Sequence, residues 1–167
     1  GGSLQIISVS DSSYRENGVH PALIMCTSGT TGTPKGAMLT EENIISNVSA
    51  ITEYFDINSK DYILIPRPLY HCAVLTGEFL TALVKGTKIR FYSERFNPVF
   101  TLKLIRENKI TAFCGTPTQL SMMARIKKEK DSLKHICISG ECMDKKTGIY
   151  IQSAFISSKI YHVYGLT

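Results

Sequence analysis

Short apolar runs with strand character alternate with longer segments of helical periodicity, and this alternation restricts the fold more than any other feature of the chain. The runs cover residues 22–26, 62–65, 87–92, 110–114, 133–138 and 159–163. Helical patterns begin near Glu41, span about 72–84, and restart after Asn97, after Thr116 and near Asp144. In the first, Ile44, Ile45, Val48, Ile51 and Phe55 fall on one face. Thr40 is placed to cap it, and Glu41 and Glu42 suit its positive end. Asn97-Pro98 reads as an N-cap followed by proline at the first helical position. Thr116-Pro117-Thr118-Gln119 reads as a capping box, a simple strand-to-helix turn. Strand, helix, strand in this rhythm predicts an α/β domain, a mostly parallel sheet with flanking helices. Ligands of such sheets bind beyond the carboxyl ends of the strands.

One loop between a strand and a helix has a composition suited to anions. Thr27-Ser28-Gly29-Thr30-Thr31-Gly32-Thr33-Pro34-Lys35-Gly36 holds four Thr, one Ser, three Gly, one Pro and one Lys. Glycines let backbone N–H groups approach a polyphosphate and form an anion-binding concavity. Hydroxyls add neutral donors, and Lys35 adds a point charge. The loop is not a Walker motif, because Gly36 rather than Ser or Thr follows Lys35. On composition alone the bland alternative is a surface turn.

The rest of the composition narrows the class. The chain has 167 residues, enough for one domain with a real core, and 43% of them are hydrophobic. No apolar run approaches the roughly 20 residues of a membrane span. Gly1-Gly2-Ser3 begins no signal-peptide pattern. Net charge is +5, and the one basic cluster, Lys127-Lys128-Glu129-Lys130, reads as a solvated helix end, so no nucleic-acid partner is expected. Mild basicity suits an anionic substrate. Five cysteines, Cys26, Cys72, Cys114, Cys137 and Cys142, form no C-x-x-C pair and no zinc spacing. Cys26, Cys114 and Cys137 lie in apolar runs and read as small hydrophobes. This usage predicts a reducing, cytoplasmic location, with a catalytic thiol at Cys72 or Cys142 as the minor alternative.

The ten-residue loop resembles the phosphate-loop signature of the adenylate-forming, AMP-binding superfamily, which includes acyl- and aryl-CoA synthetases, luciferases and adenylation domains of peptide synthetases. Cys26 departs from that pattern, which usually has an aromatic residue there. Three further elements follow in family order. Pro68-Leu69-Tyr70-His71 resembles the "PLFH" element, Ser139-Gly140-Glu141-Cys142-Met143 the "GGE-x-L" turn, and Tyr164-Gly165-Leu166-Thr167 the start of "Y-G-x-T-E". Ser139 stands where the family has its first glycine.

The resemblance implies roles. Thr27, Ser28, Gly29, Thr30, Thr31, Gly32, Lys35 and Gly36 would hold the β- and γ-phosphates of ATP. Gly140, Glu141, Cys142, Tyr164, Gly165, Leu166 and Thr167 would complete the nucleotide site, with Tyr164 stacked on adenine and Thr167 at the α-phosphate. Tyr70, His71 and Gly115 would border the acyl substrate, and His71 and Thr167 would be catalytic. From the residues alone His71 reads more readily as structural. The glutamate expected to hold Mg²⁺ would lie beyond residue 167.

Residues 1–20 are expected to form a weakly structured lead-in, with a short strand at 4–7, and residues 21–167 part of an AMP-binding domain. By resemblance the chain is a fragment of a larger enzyme and is expected to be inactive alone. That enzyme would activate a carboxylic acid with ATP and Mg²⁺ to an acyl-adenylate, then pass the acyl group to CoA or to the pantetheine of an acyl carrier protein. Amino-acid-activating members of the family often place an Asp near the "PLFH" position to pair with the substrate ammonium; after His71 this chain has no carboxylate until Glu78, so the resemblance favours a fatty or aryl acid. The alternatives are an amino-acid adenylation domain and a non-catalytic nucleotide-binding module.

Overall fold

The computed structural model describes residues 21–26, 36–92 and 94–165. The expected strand at 4–7, the loop residues 27–35, and Leu166 and Thr167 lie outside the described residues.

Five strands form one parallel sheet: β3 (Tyr62–Ile65), β4 (Lys88–Phe91), β5 (Ala112–Gly115), β6 (His135–Ile138) and β7 (Lys159–His162), in the order β4-β3-β5-β6-β7. A two-stranded antiparallel sheet precedes it, with β1 (Leu23–Cys26) paired to β2 (Gly36–Leu39). The helices are α1 (Glu41–Tyr54), α2 (Cys72–Val74), a π-helical stretch (Leu75–Leu80), α3 (Thr81–Val84), α4 (Pro98–Glu107), α5 (Pro117–Ile126) and α6 (Lys145–Ala154).

Period-two alternation along the strands builds a core on each face of the parallel sheet. Ile63, Ile65, Ala112, Cys114 and Cys137 face Phe55, Ile57, Val74 and Ala82, which belong to the α1 and α2–α3 segments. Leu64, Phe113, Ile136 and Ile138 face the other way, against α4, α5 and α6 through Ile105, Leu120, Met123 and Ile151. In the register Leu64 opposes Phe113, and Phe113 opposes Ile136, so each layer is continuous across strands.

The expected caps are present. The Thr40 hydroxyl accepts from Asn43 N–H at 3.2 Å, and the Asn97 carbonyl oxygen accepts from Phe100 N–H at 3.0 Å. Thr116 and Gln119 form the reciprocal capping box. Four expectations change. The run at 22–26 does not join the parallel sheet but pairs with β2, because Gly36–Leu39 supplies an antiparallel partner in register. Cys26 is therefore exposed rather than part of a core. Ile45 is 55% exposed, because it sits on the flank of α1, while Val48 is buried and Phe55 packs in the core against the sheet. Lys127 is held by Asp131 at 3.2 Å and lies over the Phe155 ring, so that end of the basic cluster is packed rather than solvated.

The chain leaves β3 for β4 on one side and then returns to place β5 on the other side of β3. The strand order thus reverses at β3 and β5, and a doubly wound sheet opens its ligand crevice at such a point.

Candidate nucleotide and acid site

The crevice is lined from the carboxyl ends upward. Pro66 ends β3, and Arg67 follows it directly. The Arg67 guanidinium forms an ion pair with the Glu78 carboxylate and donates through the same Nη2 to Ser139 Oγ at 3.4 Å. Arg67 thus ties the end of β3 to the turn after β6. Glu78 reaches Arg67 because the helix widens there into π geometry. Such a turn leaves carbonyls without their usual partners. Thr76 Oγ1 donates to the Cys72 carbonyl at 3.0 Å, and Thr81 Oγ1 to the Thr76 carbonyl at 2.6 Å. Glu78 itself is only 1% exposed. Burial pushes its carboxyl up to about 7, against the pull of Arg67. Burial opposes charge on Arg67 too, but Glu78 holds that guanidinium above its ordinary value.

Gly140 makes the turn after β6 at φ +90°, a conformation that suits glycine. A Cβ there would stand 3.6 Å from Thr116 Cγ2 and 3.7 Å from Arg67 Nη1, so the turn nestles between the ends of β3 and β5. Tyr164 follows β7 with 86% of its surface exposed. Gly140, Tyr164 and Gly165 line one cavity of about 470 Å³ together with Arg67 and Glu78. Its other wall is the apolar and small-residue surface of α1 and the helix after β3, including Ile51, Tyr54, Ala73 and Gly77.

The remaining expected residues distribute differently. Glu141 and Cys142 line a separate cleft of about 310 Å³ beside α5 and α6. Glu141 Oε2 accepts from the Thr118 hydroxyl at 2.7 Å and from its N–H at 3.3 Å, and the hydroxyl holds the carboxyl below its ordinary value. Gly115 is buried, and an added Cβ would stand 2.8 Å from the Phe113 ring and 3.3 Å from Gln119 Oε1. Packing at the capping box therefore accounts for this glycine without a substrate. Tyr70 and His71 are both exposed, with ring centroids 4.5 Å apart, and neither lines the larger cavity. The next residues in the chain, Cys72 and Ala73, do line it. Gly36 pairs with Cys26 at the mouth of the strand pair that the loop 27–35 joins.

Arg67 and Glu78 are not among the residues that the motif resemblance assigns to the site, and Glu78 enters the sequence reading only as the first carboxylate after His71. An acidic residue in the otherwise apolar helix after β3, eleven positions beyond an arginine at a strand end, was the available signal. Only the π turn shows that the two meet.

A family model described as AMP-binding enzyme matches residues 9–167. The chain belongs to this family. The acyl-CoA ligase sidI of Aspergillus fumigatus is 36% identical over 123 residues, which cover 74% of this chain and 20% of that protein. The AMP-binding chain thus spans about one fifth of that relative's length. Among solved structures, the inhibitor-bound N-terminal domain of FACL13 from Mycobacterium tuberculosis is similar at a TM-score of 0.75 and 26% identity, covering 86% of this chain and 36% of that one. O-succinylbenzoate coenzyme A synthetase (MenE) from Bacillus subtilis, solved in complex with ATP and magnesium ion, has a TM-score of 0.74 at 23% identity, over 86% of this chain and 30% of that one. The family and the α/β fold with its five-stranded parallel sheet are those of adenylate-forming enzymes.

Proposed function

We propose that this AMP-binding domain serves an enzyme that activates a carboxylic acid with ATP. The observation that carries the reading is the 470 Å³ cavity at the reversal point of the sheet, where an exposed tyrosine and two glycines share walls with an apolar helical surface. Such a cavity suits an adenylate at one end and an acyl group at the other. The exposed ring of Tyr164 is suited to stack on adenine, and Gly140 and Gly165 to let the base and ribose approach backbone. The loop at Thr27–Gly36, by its resemblance, would hold the β- and γ-phosphates.

In the reaction the substrate carboxylate oxygen attacks the α-phosphorus, and the bond to pyrophosphate breaks. The mixed anhydride that forms, an acyl-adenylate, is then attacked at its carbonyl carbon by a thiol, releasing AMP. Positioning and charge neutralisation dominate such phosphoryl chemistry, so no nucleophilic side chain is required. Mg²⁺ would neutralise phosphate charge. Such an ion is usually held by one or two carboxylates together with the substrate phosphates. The acyl-CoA ligase relatives support CoA as the acceptor over a carrier protein. No helix among the described residues is long and apolar enough to cross a membrane, and the cysteine usage supports a cytoplasmic site.

The test is ATP–pyrophosphate exchange on the full-length protein with fatty, aryl and amino acids as a panel. Exchange with fatty or aryl acids is expected. In the same assay His71→Ala should lower turnover of the acid more than affinity for ATP, and an unchanged rate removes His71 from the site. Exchange with amino acids only moves the assignment to a peptide-synthetase adenylation domain. ATP binding without exchange reduces the domain to a nucleotide-binding module.

A further inference from the structure

Lysines are scattered along the sequence, yet the fold gathers many of them at one edge. Every helix that leads into a strand of the parallel sheet delivers a loop to the amino edge, opposite the crevice. Backbone hydrogen bonds lace the strand entries into one row. Lys88 N–H donates to the Asp61 carbonyl at 3.2 Å, Thr111 N–H to that of Tyr62 at 2.9 Å, Lys134 N–H to that of Thr111 at 2.8 Å, and Lys159 N–H to that of Lys134 at 2.7 Å. Lys60, Lys109, Lys128 and Lys130 stand in the loops just before these entries. All seven lysines are exposed, against two exposed carboxylates in the same loops, Asp56 and Glu129. That balance of +5 equals the formal net charge of the whole chain. Asp56 is paired with Lys159 at 3.6 Å, Glu129 with Arg106 at 3.4 Å, and the buried Asp61 with Lys134 at 3.7 Å. Among the described residues Lys60, Lys109, Lys128 and Lys130 form no ion pair.

Apolar side chains stand out from the same edge. Leu83 and Val84 end α3 at 54% and 68% exposure, Ile126 ends α5, and Ile156 precedes β7 at 84%. Helix dipoles favour cations near such helix ends, but they give no reason for bare apolar side chains beside them. None of the seven lysines lines either cavity, so the edge offers a diffuse field rather than a pocket for one small anion. Five strands about 4.8 Å apart make it roughly 20 Å wide. Lysine is a point charge without the bidentate fork that arginine offers a discrete phosphate. Lysines interleaved with exposed apolar tips suit an anionic bilayer, where the charges meet headgroups and the tips enter the acyl boundary. A nucleic acid or an acidic protein would use the charge and leave the tips idle. We propose that the amino edge of the parallel sheet is a peripheral docking surface for anionic lipid headgroups. Lys60, Lys109, Lys128 and Lys130 supply its free charge, and Val84 and Ile156 enter the headgroup layer. Docked this way, the carboxyl edge with Tyr164 and the larger cavity faces away from the bilayer, open to water-borne ligands.

The experiment is sedimentation of the full-length protein with lipid vesicles. Vesicles of phosphatidylcholine alone are compared with vesicles that also contain phosphatidylserine, at low and at high salt. Partition onto the anionic vesicles at low salt, little onto the neutral ones, and release by salt are expected. Lys60→Gln, Lys109→Gln, Lys128→Gln and Lys130→Gln, combined stepwise, should weaken partition by about fivefold for each charge removed. These side chains are exposed and outside both cavities, so the melting temperature and ATP–pyrophosphate exchange should not change. Val84→Ser with Ile156→Ser should weaken partition without reducing its dependence on salt, because apolar contact is not screened. Equal partition onto both kinds of vesicle overturns the proposal, and needs no variant to fold. Partition that ignores the four lysines overturns it as well. So does retention on a polyglutamate or heparin support with no uptake by vesicles, which assigns the edge to a soluble anionic partner.

Discussion

Glu78 is a carboxylate shut off from water and facing one charged partner, Arg67, with the Cys114 thiol also within electrostatic reach. Desolvation and the Arg67 charge pull its titration in opposite directions, and desolvation wins, raising it from 4.5 to about 7. The linkage then has a definite sign. Between those two values the folded protein keeps a proton that the unfolded chain has released. The stabilisation from that proton is fully present below about pH 4.5 and is lost as pH rises through about 7. Glu78→Gln carries no titrating group. The stability of the unaltered protein relative to this variant should therefore fall by about 3 kcal/mol across that window. Urea unfolding at a series of pH values measures the gap. A gap that instead grows with pH would mean that the Arg67 attraction outweighs burial. None of this was legible from composition. Residues 71–77 lack a carboxylate, and Glu78 reads in sequence as one acidic residue on a helix, because helical periodicity assumes 3.6 residues per turn and a π turn shifts the face.

At the scale of elements, the sequence was most readable where a side chain completes a backbone hydrogen bond. Thr40, Asn97 and Thr116 are all caps, as their positions predict, because an orphan N–H at a helix start demands a short polar acceptor. Thr116 is the most consequential, since it starts the helix that leaves β5 beside the crevice, and Gln119 Oε1 accepts from its N–H at 3.0 Å. Thr116→Ala should cost about 1 kcal/mol of stability, read as a shift of the unfolding midpoint in denaturant. Thr116→Ser should recover most of it, whereas a full loss with serine would assign the cost to the methyl that packs near Gly140. Partner choice between strands was not readable in the same way. The run at 22–26 is as apolar as those of the parallel sheet, yet it pairs with Gly36–Leu39. A four-residue apolar run states that it will be a strand, not which neighbour it will take. The motif resemblance implies that the turn at residues 140–142 meets the nucleotide through backbone and small residues, and the Glu141 side chain is itself held by the Thr118 hydroxyl and N–H at the start of α5.

Across the whole molecule, loops from distant parts of the sequence meet at one edge because parallel strands all point their carboxyl ends the same way. Arg67 follows β3, Ser139 and Gly140 follow β6, and Tyr164 follows β7, and one cavity gathers them between the sheet and α1. The resemblance to family motifs implied a common site for Gly140, Tyr164 and Gly165, and in the structure all three line one cavity. The nucleotide assignment of the cavity turns on Tyr164. Its side chain is 86% exposed, so it adds little to folding, and truncation should leave the melting temperature of the unliganded protein unchanged. Stacking of a base on an aromatic ring is worth roughly 1–3 kcal/mol. Tyr164→Ala should therefore weaken ATP binding by about 5- to 150-fold by titration calorimetry, and Tyr164→Phe, which keeps the ring face, should bind nearly as the unaltered protein does. Loss of affinity in both variants would place the contribution in the phenol hydroxyl rather than in stacking. Unchanged affinity in the alanine variant would remove adenine from this cavity and leave it to the acid alone, with the polyphosphate loop then carrying the nucleotide by itself.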